Sequence, residues 1–296
     1  MTPSHPLFIG ETACDILSKY DEGYVHSVFS NVINLRMGDE LVSLISQRGF
    51  NSPISLKIDR ENLDDFRVKK KMAVSAKNED LSIGNGIEIS NLKKIETWMP
   101  ETRKNKTSQI NKNTFKLVSE LVKIYGKPEG LKPILSLING KVSSNMNIFS
   151  EKAAPIVKRI IENFPEELET AGYHTSQLAG LGLGLTPSGD DLLMGLSCTL
   201  NLFGEAYDVN HEDFTHSMLR SIEGKTNFIS RAFIKHYAAG KPSENIDSFY
   251  LSIINGNPEA IEENIRKNCL IGHSSGRDTI IGVLLAFKLM REHENG

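Results

Sequence analysis

The spacing of hydrophobic positions changes near residue 100 of the 296-residue chain. Upstream, apolar and β-branched residues come in short runs with partial alternation, at Tyr24–Leu35 (YVHSVFSNVINL), Leu41–Ile45 and Ile54–Ile58. Runs of this length and composition predict strands. Arg48–Pro53 reads as a turn between two of them. Ile83-Gly84-Asn85-Gly86-Ile87 predicts a hairpin whose Asn-Gly pair takes up positive φ. Residues 1–100 are therefore expected to form a β-rich, barrel-like domain. Lys69, Lys70 and Lys71, close to Asp64 and Asp65, read as a solvated strand edge.

Residues 101–112 are polar and basic, with Ile110 the one apolar side chain, and read as a linker. From residue 113 to 296 the period becomes helical. Phe115, Leu117, Val118, Leu121, Val122 and Tyr125 follow 3–4 spacing and stop at Gly126. Further helices are expected over Ile148–Phe164, Phe214–Ile222, Phe228–Tyr237, Ile246–Ile254 and Pro258–Asn268, the last with proline in its first turn. The fold class is thus α+β, a β-rich N-terminal domain followed by a mainly α-helical one.

A single stretch of the helical region breaks the pattern: Gly180–Gly195, GLGLGLTPSGDDLLMG. Its alternating glycines and leucines predict an extended segment, and Ser188 with Asp191 three residues on fits a capped helix start. The segment has an echo. Ser188–Gly195 and Ser275–Gly282 both read S-G-x-D-x-x-x-G and both lead into apolar helix. Small residues four positions on, Thr199 and Ala286, extend each glycine into a stripe that permits close helix packing. If the two helices pack side by side with their N-termini together, their dipoles and free N–H groups converge on one anion. If they pack antiparallel, the repeat is only a packing device.

Candidate anion contacts are Gly182, Gly184, Thr186, Ser188, Gly189, Asp190, Ser274, Ser275, Gly276 and Thr226. Candidate catalytic groups are Asp191, Asp278, His273 as a proton carrier, and Arg277 as a bidentate clamp. Asp190 and Asp191 together could hold magnesium, though one of them could equally serve the helix dipole. No other cofactor is indicated.

Composition narrows the class. With 39% hydrophobic and 24% charged residues, a large core is available. The net charge of −3 argues against nucleic acid as a partner. Cys14, Cys198 and Cys269 are scattered and offer no disulfide framework or paired metal ligands. The N-terminus lacks the pattern of a secretory signal, and no apolar run approaches the roughly 20 residues needed to span a bilayer. A cytoplasmic protein without a membrane partner is expected. Known phosphate loops do not fit: after Gly184 and Gly189, Asp190 and Asp191 stand where a Walker loop needs Lys and Ser or Thr.

At GLGLGLTPSGDDLLMG, KTNFISRAFIKHYAAG (residues 225–240) and GHSSGRDTIIGVLLA (residues 272–286), the sequence resembles the family of the oxamate carbamoyltransferase subunit AllH. YVHSVFSNVINL and the turn before Pro53-Ile54-Ser55-Leu56 are similar as well, so the resemblance runs over most of the chain. It implies reversible carbamoyl transfer in anaerobic allantoin degradation: oxalurate plus phosphate giving oxamate plus carbamoyl phosphate. It also implies work beside other carbamoyltransferase subunits, one of them resembling acyl-CoA synthetases. It assigns no individual catalytic residue. Small anions such as carbamoyl phosphate and oxalurate suit helix N-termini. Two other readings stay open, a non-catalytic scaffold or anion-binding subunit, and a kinase-like nucleotide-binding protein using GLGLTPSG as a phosphate loop.

Overall fold

The structure is a computed structural model that describes residues 5–105, 107–127, 129–141 and 145–294. Two compact units divide the chain: Met1–Pro100 with Pro242–Glu244, and Glu101–Lys241 with Asn245–Gly296.

The first unit is a nine-stranded sheet curled into a half-barrel. In chain order its strands are β1 (Pro6–Gly10), β2 (Glu22–Phe29), β3 (Val32–Met37), β4 (Glu40–Ile45), β5 (Ser55–Ile58), β6 (Ala73–Lys77), β7 (Asp80–Ile83), β8 (Ile87–Ile89) and β9 (Thr97–Trp98). They lie in the order β8-β7-β6-β2-β3-β4-β5-β1-β9. Neighbours are antiparallel except β4–β5 and β1–β9. The run YVHSVFSNVINL folds back at Ser30-Asn31, so that Phe29 pairs with Val32. In the β7–β8 hairpin Ile83 pairs with Ile87, as the pattern predicts. The positive φ there falls on Gly84, at +53°, and not on Asn85.

One helix, α1 (Glu11–Lys19), stands among the strands and buries Ala13, Ile16 and Leu17. Three apolar positions in nine residues are too short a periodic run to separate helix from strand. Its entry is sterically fixed: a Cβ on Gly10 would lie 2.3 Å from the carbonyl oxygens of Ser52 and Pro53.

The second unit is helical. Its helices are α2 (Lys112–Tyr125), α3 (Ile134–Ile138), α4 (Ile148–Asn163), α5 (Leu168–Thr175), α6 (Ser188–Phe203), α7 (Glu212–Ser221), α8 (Phe228–Ala238), α9 (Glu244–Ile254), α10 (Pro258–Cys269) and α11 (Ser275–Glu294). Asparagine N-caps start α2, α4, α8 and α10, each accepting from a first-turn amide. Glu101, Thr102, Thr107 and Ile110 of the expected linker are hydrogen-bonded into this unit. The Glu101 and Thr102 amides donate to buried Asp247 on α9 at 2.8 and 3.1 Å, and Thr107 Oγ1 donates to the Leu202 carbonyl at 2.6 Å.

The core is built on α6 and α11, both almost wholly buried. They run parallel at very short range. A Cβ on Gly195 would sit 1.9 Å from the Thr279 carbonyl oxygen, and one on Gly282 would sit 2.1 Å from that of Leu192. At the far end Phe203 packs on Tyr250 and Phe287, with ring centroids 5.9 and 5.0 Å away. The expected glycine strand does not form. Gly180, Gly182 and Gly184 have φ of +75°, +135° and +94°, and left-handed backbone at every second residue coils the segment into a loop.

Candidate functional site: two helix starts brought together

Parallel packing brings the two repeated S-G-x-D starts side by side. Thr186 Oγ1 lies 2.9 Å from Ser275 Oγ, and Ser188 Oγ lies 3.2 Å from Ser274 Oγ. The expected Ser188 cap is not made. Pro187 occupies the cap position of α6, and the Ser188 hydroxyl turns to the partner helix instead. Asp191 likewise is not a reciprocal carboxylate for its own helix. Its carboxyl lies beside the hydroxyls of Ser275 and Thr186, and that of Asp278 beside those of Ser188 and Ser274. Each aspartate thus reaches serine hydroxyls of the other helix.

Both carboxyls are buried, Asp278 completely and Asp191 to within 3%. Each keeps one oxygen, Oδ2, with no hydrogen-bond partner. Their surroundings differ. Asp278 Oδ1 accepts the Leu131 amide at 2.9 Å and has the Arg277 guanidinium Nε at 3.7 Å. Among the described residues no cation faces Asp191, and burial together with the Asp278 charge drives its carboxyl well above the usual carboxylate range. Burial also raises Asp278, but the Ser188 hydroxyl, the Leu131 amide and Arg277 oppose it. Two close carboxyls in unlike environments divide one proton unequally. Both carboxyls are raised, Asp191 the further. Half-buried Thr186, Ser274 and Ser275 form the rim above them.

The other expected site residues separate into supports and rim. Asp190 is fully buried and accepts the Gly180 amide at 2.8 Å and the Thr226 hydroxyl. Both are therefore engaged in fixing the glycine loop to the start of α8. Asn227 Nδ2 and Ser230 Oγ donate to the Leu185 carbonyl at 2.8 and 3.1 Å and fix the other end of that loop. Between these anchors Gly182 is half-buried, while Leu183, Gly184 and Leu185 are exposed, Leu183 at 81%.

Gly189 and Gly276 serve close packing. A Cβ would lie 1.9 Å from the Leu178 carbonyl oxygen in the first and 2.2 Å from that of Asn268 in the second. The Gly189 amide donates to the Leu181 carbonyl at 2.7 Å and is not offered outward. At α11, by contrast, the amides of Ser275, Gly276 and Arg277 have no backbone acceptor among the described residues.

The expected Arg277 clamp closes on main chain. Its side chain is buried and donates to the carbonyls of Lys127 and Glu129 at 2.7 Å each, tying those two residues across the second start. There Gly130, at φ +58°, leaves room for the Asp278 carboxyl, whose Oδ2 would lie 2.3 Å from a Cβ. His273 is exposed at the edge, with Nε2 3.1 Å from Glu129. Asp190 faces Gly180 and Thr226 while Asp191 faces α11, so the adjacent pair does not form a joint magnesium site. Among the described residues no group of three or more His, Cys, Asp or Glu side chains is placed to hold a metal.

Leu131, Asn227 and Ser230 escape sequence reasoning about the site. Asn227 and Ser230 are legible as helix-start residues, but nothing local shows that they also hold the Leu185 carbonyl. The Leu131 amide has no sequence signature at all.

Residues 178–287 match the family model described as oxamate carbamoyltransferase subunit AllH, and residues 6–95 match the AllH family N-terminal domain. The chain belongs to the AllH family. The first match runs from the foot of the glycine loop into α11 and encloses both halves of the paired helix starts. No solved structure matches the chain. Among the described residues, no helix is long and apolar enough to cross a membrane.

Proposed function

We propose that the chain is the AllH subunit of an oxamate carbamoyltransferase and that the joined starts of α6 and α11 bind its small anionic substrates. The observation that carries this reading is the buried Asp191–Asp278 pair beneath four hydroxyls. Hydrogen phosphate and oxalurate would meet Thr186, Ser188, Ser274 and Ser275, with the α11 amides supplying further donors. Phosphate oxygen attacks the carbamoyl carbon, and the bond from that carbon to the ureido nitrogen breaks. The proton that hydrogen phosphate loses is the one that oxamate gains. Asp278 accepts it from phosphate while Asp191 delivers its own to the departing nitrogen. The pair still holds one proton after the step, now on Asp278, and its passage back to Asp191 restores the starting state.

The test is carbamoyl phosphate formation from oxalurate and phosphate by the chain combined with its partner subunits. Asp191→Asn and Asp278→Asn are each expected to lower the rate by about 100-fold or more, with the fold intact by circular dichroism. Rates within about tenfold of wild type for the double variant would overturn the catalytic role. That outcome would favour a scaffold, a reading to which exposed Leu183 and Leu185 lend support as a contact for a partner subunit.

A further inference from the structure

The two joined helix starts are unequal as anion sites. At α6 the Gly189 amide is taken by the Leu181 carbonyl. A Cβ on Gly182 would lie 2.5 Å from the Ser188 nitrogen, so the glycine loop covers that amide too. The first turn of α6 also carries two acids, Asp190 and Asp191. At α11 the amides of Ser275, Gly276 and Arg277 have no backbone acceptor among the described residues. Gly276 and Arg277 are buried, where a folded chain rarely leaves an N–H without an acceptor. The first turn of α11 carries one acid and one cation, Asp278 and Arg277, which stand 3.7 Å apart and offset each other. Glu129, beside this start, faces His273 Nε2 at 3.1 Å.

Open amides alone would suit any oxyanion. Asp278 narrows the choice. It is fully buried, beside Ser274 at the head of α11 and Ser188 of the facing helix. Oδ1 accepts the Leu131 amide at 2.9 Å, while Oδ2 has no hydrogen-bond partner. A free carboxylate oxygen repels an anion that has no proton to share and accepts from one that carries a hydroxyl. Hydrogen phosphate brings both parts: charged oxygens for the amides and one O–H for Asp278. Sulfate brings only the first.

We propose that the start of α11 is the phosphate half of the substrate site, and that Asp278 makes it select an oxyanion bearing a hydroxyl, hydrogen phosphate over sulfate. The assignment rests on the joined helix starts being the substrate site, and it tells the two halves apart. Phosphate sits on the Ser275, Gly276 and Arg277 amides. The half-buried Ser274 hydroxyl turns from Ser188 to meet it, and the phosphate O–H donates to Asp278 Oδ2. That bond is also the path by which Asp278 takes the proton when phosphate attacks. Oxalurate is left the α6 side, from whose first turn Asp191 projects.

The experiment is calorimetric titration of the full chain with inorganic phosphate and with sulfate near neutral pH. Phosphate is expected to bind saturably and about 100-fold or more tighter than sulfate, because a site built around a ligand hydroxyl rejects the analogue lacking it. Asp278→Asn offers an amide donor in place of the carboxylate and should bring the two anions within about threefold of each other. Sulfate binding is gained in that variant, which misfolding cannot produce. Ser275→Pro deletes one open amide at the first helical position, where proline is tolerated and no backbone hydrogen bond is lost. It should bind phosphate about tenfold more weakly than Ser275→Ala, which removes the hydroxyl alone. Sulfate binding as tightly as phosphate, a wild-type preference kept by Asp278→Asn, or equal phosphate affinity in Ser275→Pro and Ser275→Ala would each overturn the assignment. Equal binding of both anions by a complex that forms carbamoyl phosphate would overturn it alone. Selective phosphate binding by a chain inactive with its partner subunits would uphold it and overturn the transfer reaction.

Discussion

Gly195→Ala and Gly282→Ala should destabilise the protein, although helix propensity alone says the opposite. Alanine is favoured over glycine inside a helix by about 1 kcal/mol. At Gly195, however, the added Cβ would stand 1.9 Å from the Thr279 carbonyl oxygen, and at Gly282 2.1 Å from that of Leu192. Carbon–oxygen contacts between packed backbones settle near about 3.3–3.6 Å. The helices must therefore separate by more than about 1 Å, and the obstacle is backbone, which has no rotamer to change. Overpacking of this kind costs up to about 3 kcal/mol, against about 1 regained from propensity, for a net loss near 2 kcal/mol. In a helical unit of this size that corresponds to a fall in Tm of about 4–8 °C. The same separation would loosen the Thr186–Ser275 and Ser188–Ser274 contacts, so substrate affinity should fall with stability. Urea unfolding and calorimetry decide it. An unchanged or raised Tm for either variant would refute the close parallel packing on which the site depends.

The aspartate pair has a signature in stability against pH. The Asp191 carboxyl lies above its ordinary value of 3.8 in the folded protein, so the folded state holds a proton that the unfolded state releases. Its contribution is greatest below that value and is lost as pH rises above it, by up to about 1.4 kcal/mol per pH unit. Asp191→Asn should flatten this decline above pH 3.8 in urea titrations; a difference from wild type that does not vary with pH would show that the Asp191 carboxyl is not raised by folding. Arg277→Met removes both guanidinium bonds to the Lys127 and Glu129 carbonyls and should cost about 3 kcal/mol. Hydrogen exchange at the Leu131 amide should quicken in that variant, and unchanged protection there would refute the clamp.

How legible was the site? The repeat S-G-x-D-x-x-x-G is visible in one dimension and marks both helices, both aspartates and both packing glycines. The tandem Asp190-Asp191 shows why more was needed. The two residues are chemically identical neighbours in the first turn of α6, yet a helical step of about 100° sends one to Thr226 and the other to α11. Arg277 misleads for a related reason. An arginine beside an anion-like motif invites a ligand clamp, whereas its long side chain reaches back to carbonyls of residues 127 and 129, some 150 positions earlier. The glycine loop failed locally. Period two predicts a strand only when each residue can take extended backbone, and glycines permit the positive φ that coils it.

Hydrophobic periodicity alone determined the division into a β-rich and a helical region and most of the long helices, because burial of one face imposes the period of the element on the sequence. It also determined that two helices begin alike. Only the tertiary structure decided that those helices run parallel at glycine contact distance. Their direction depends on chain paths through α7, α8, α9 and α10, which no local pattern encodes. That decision sets two carboxyls into one desolvated space at Thr186, Ser188, Ser274 and Ser275, where burial and a single nearby cation make unequal partners of them.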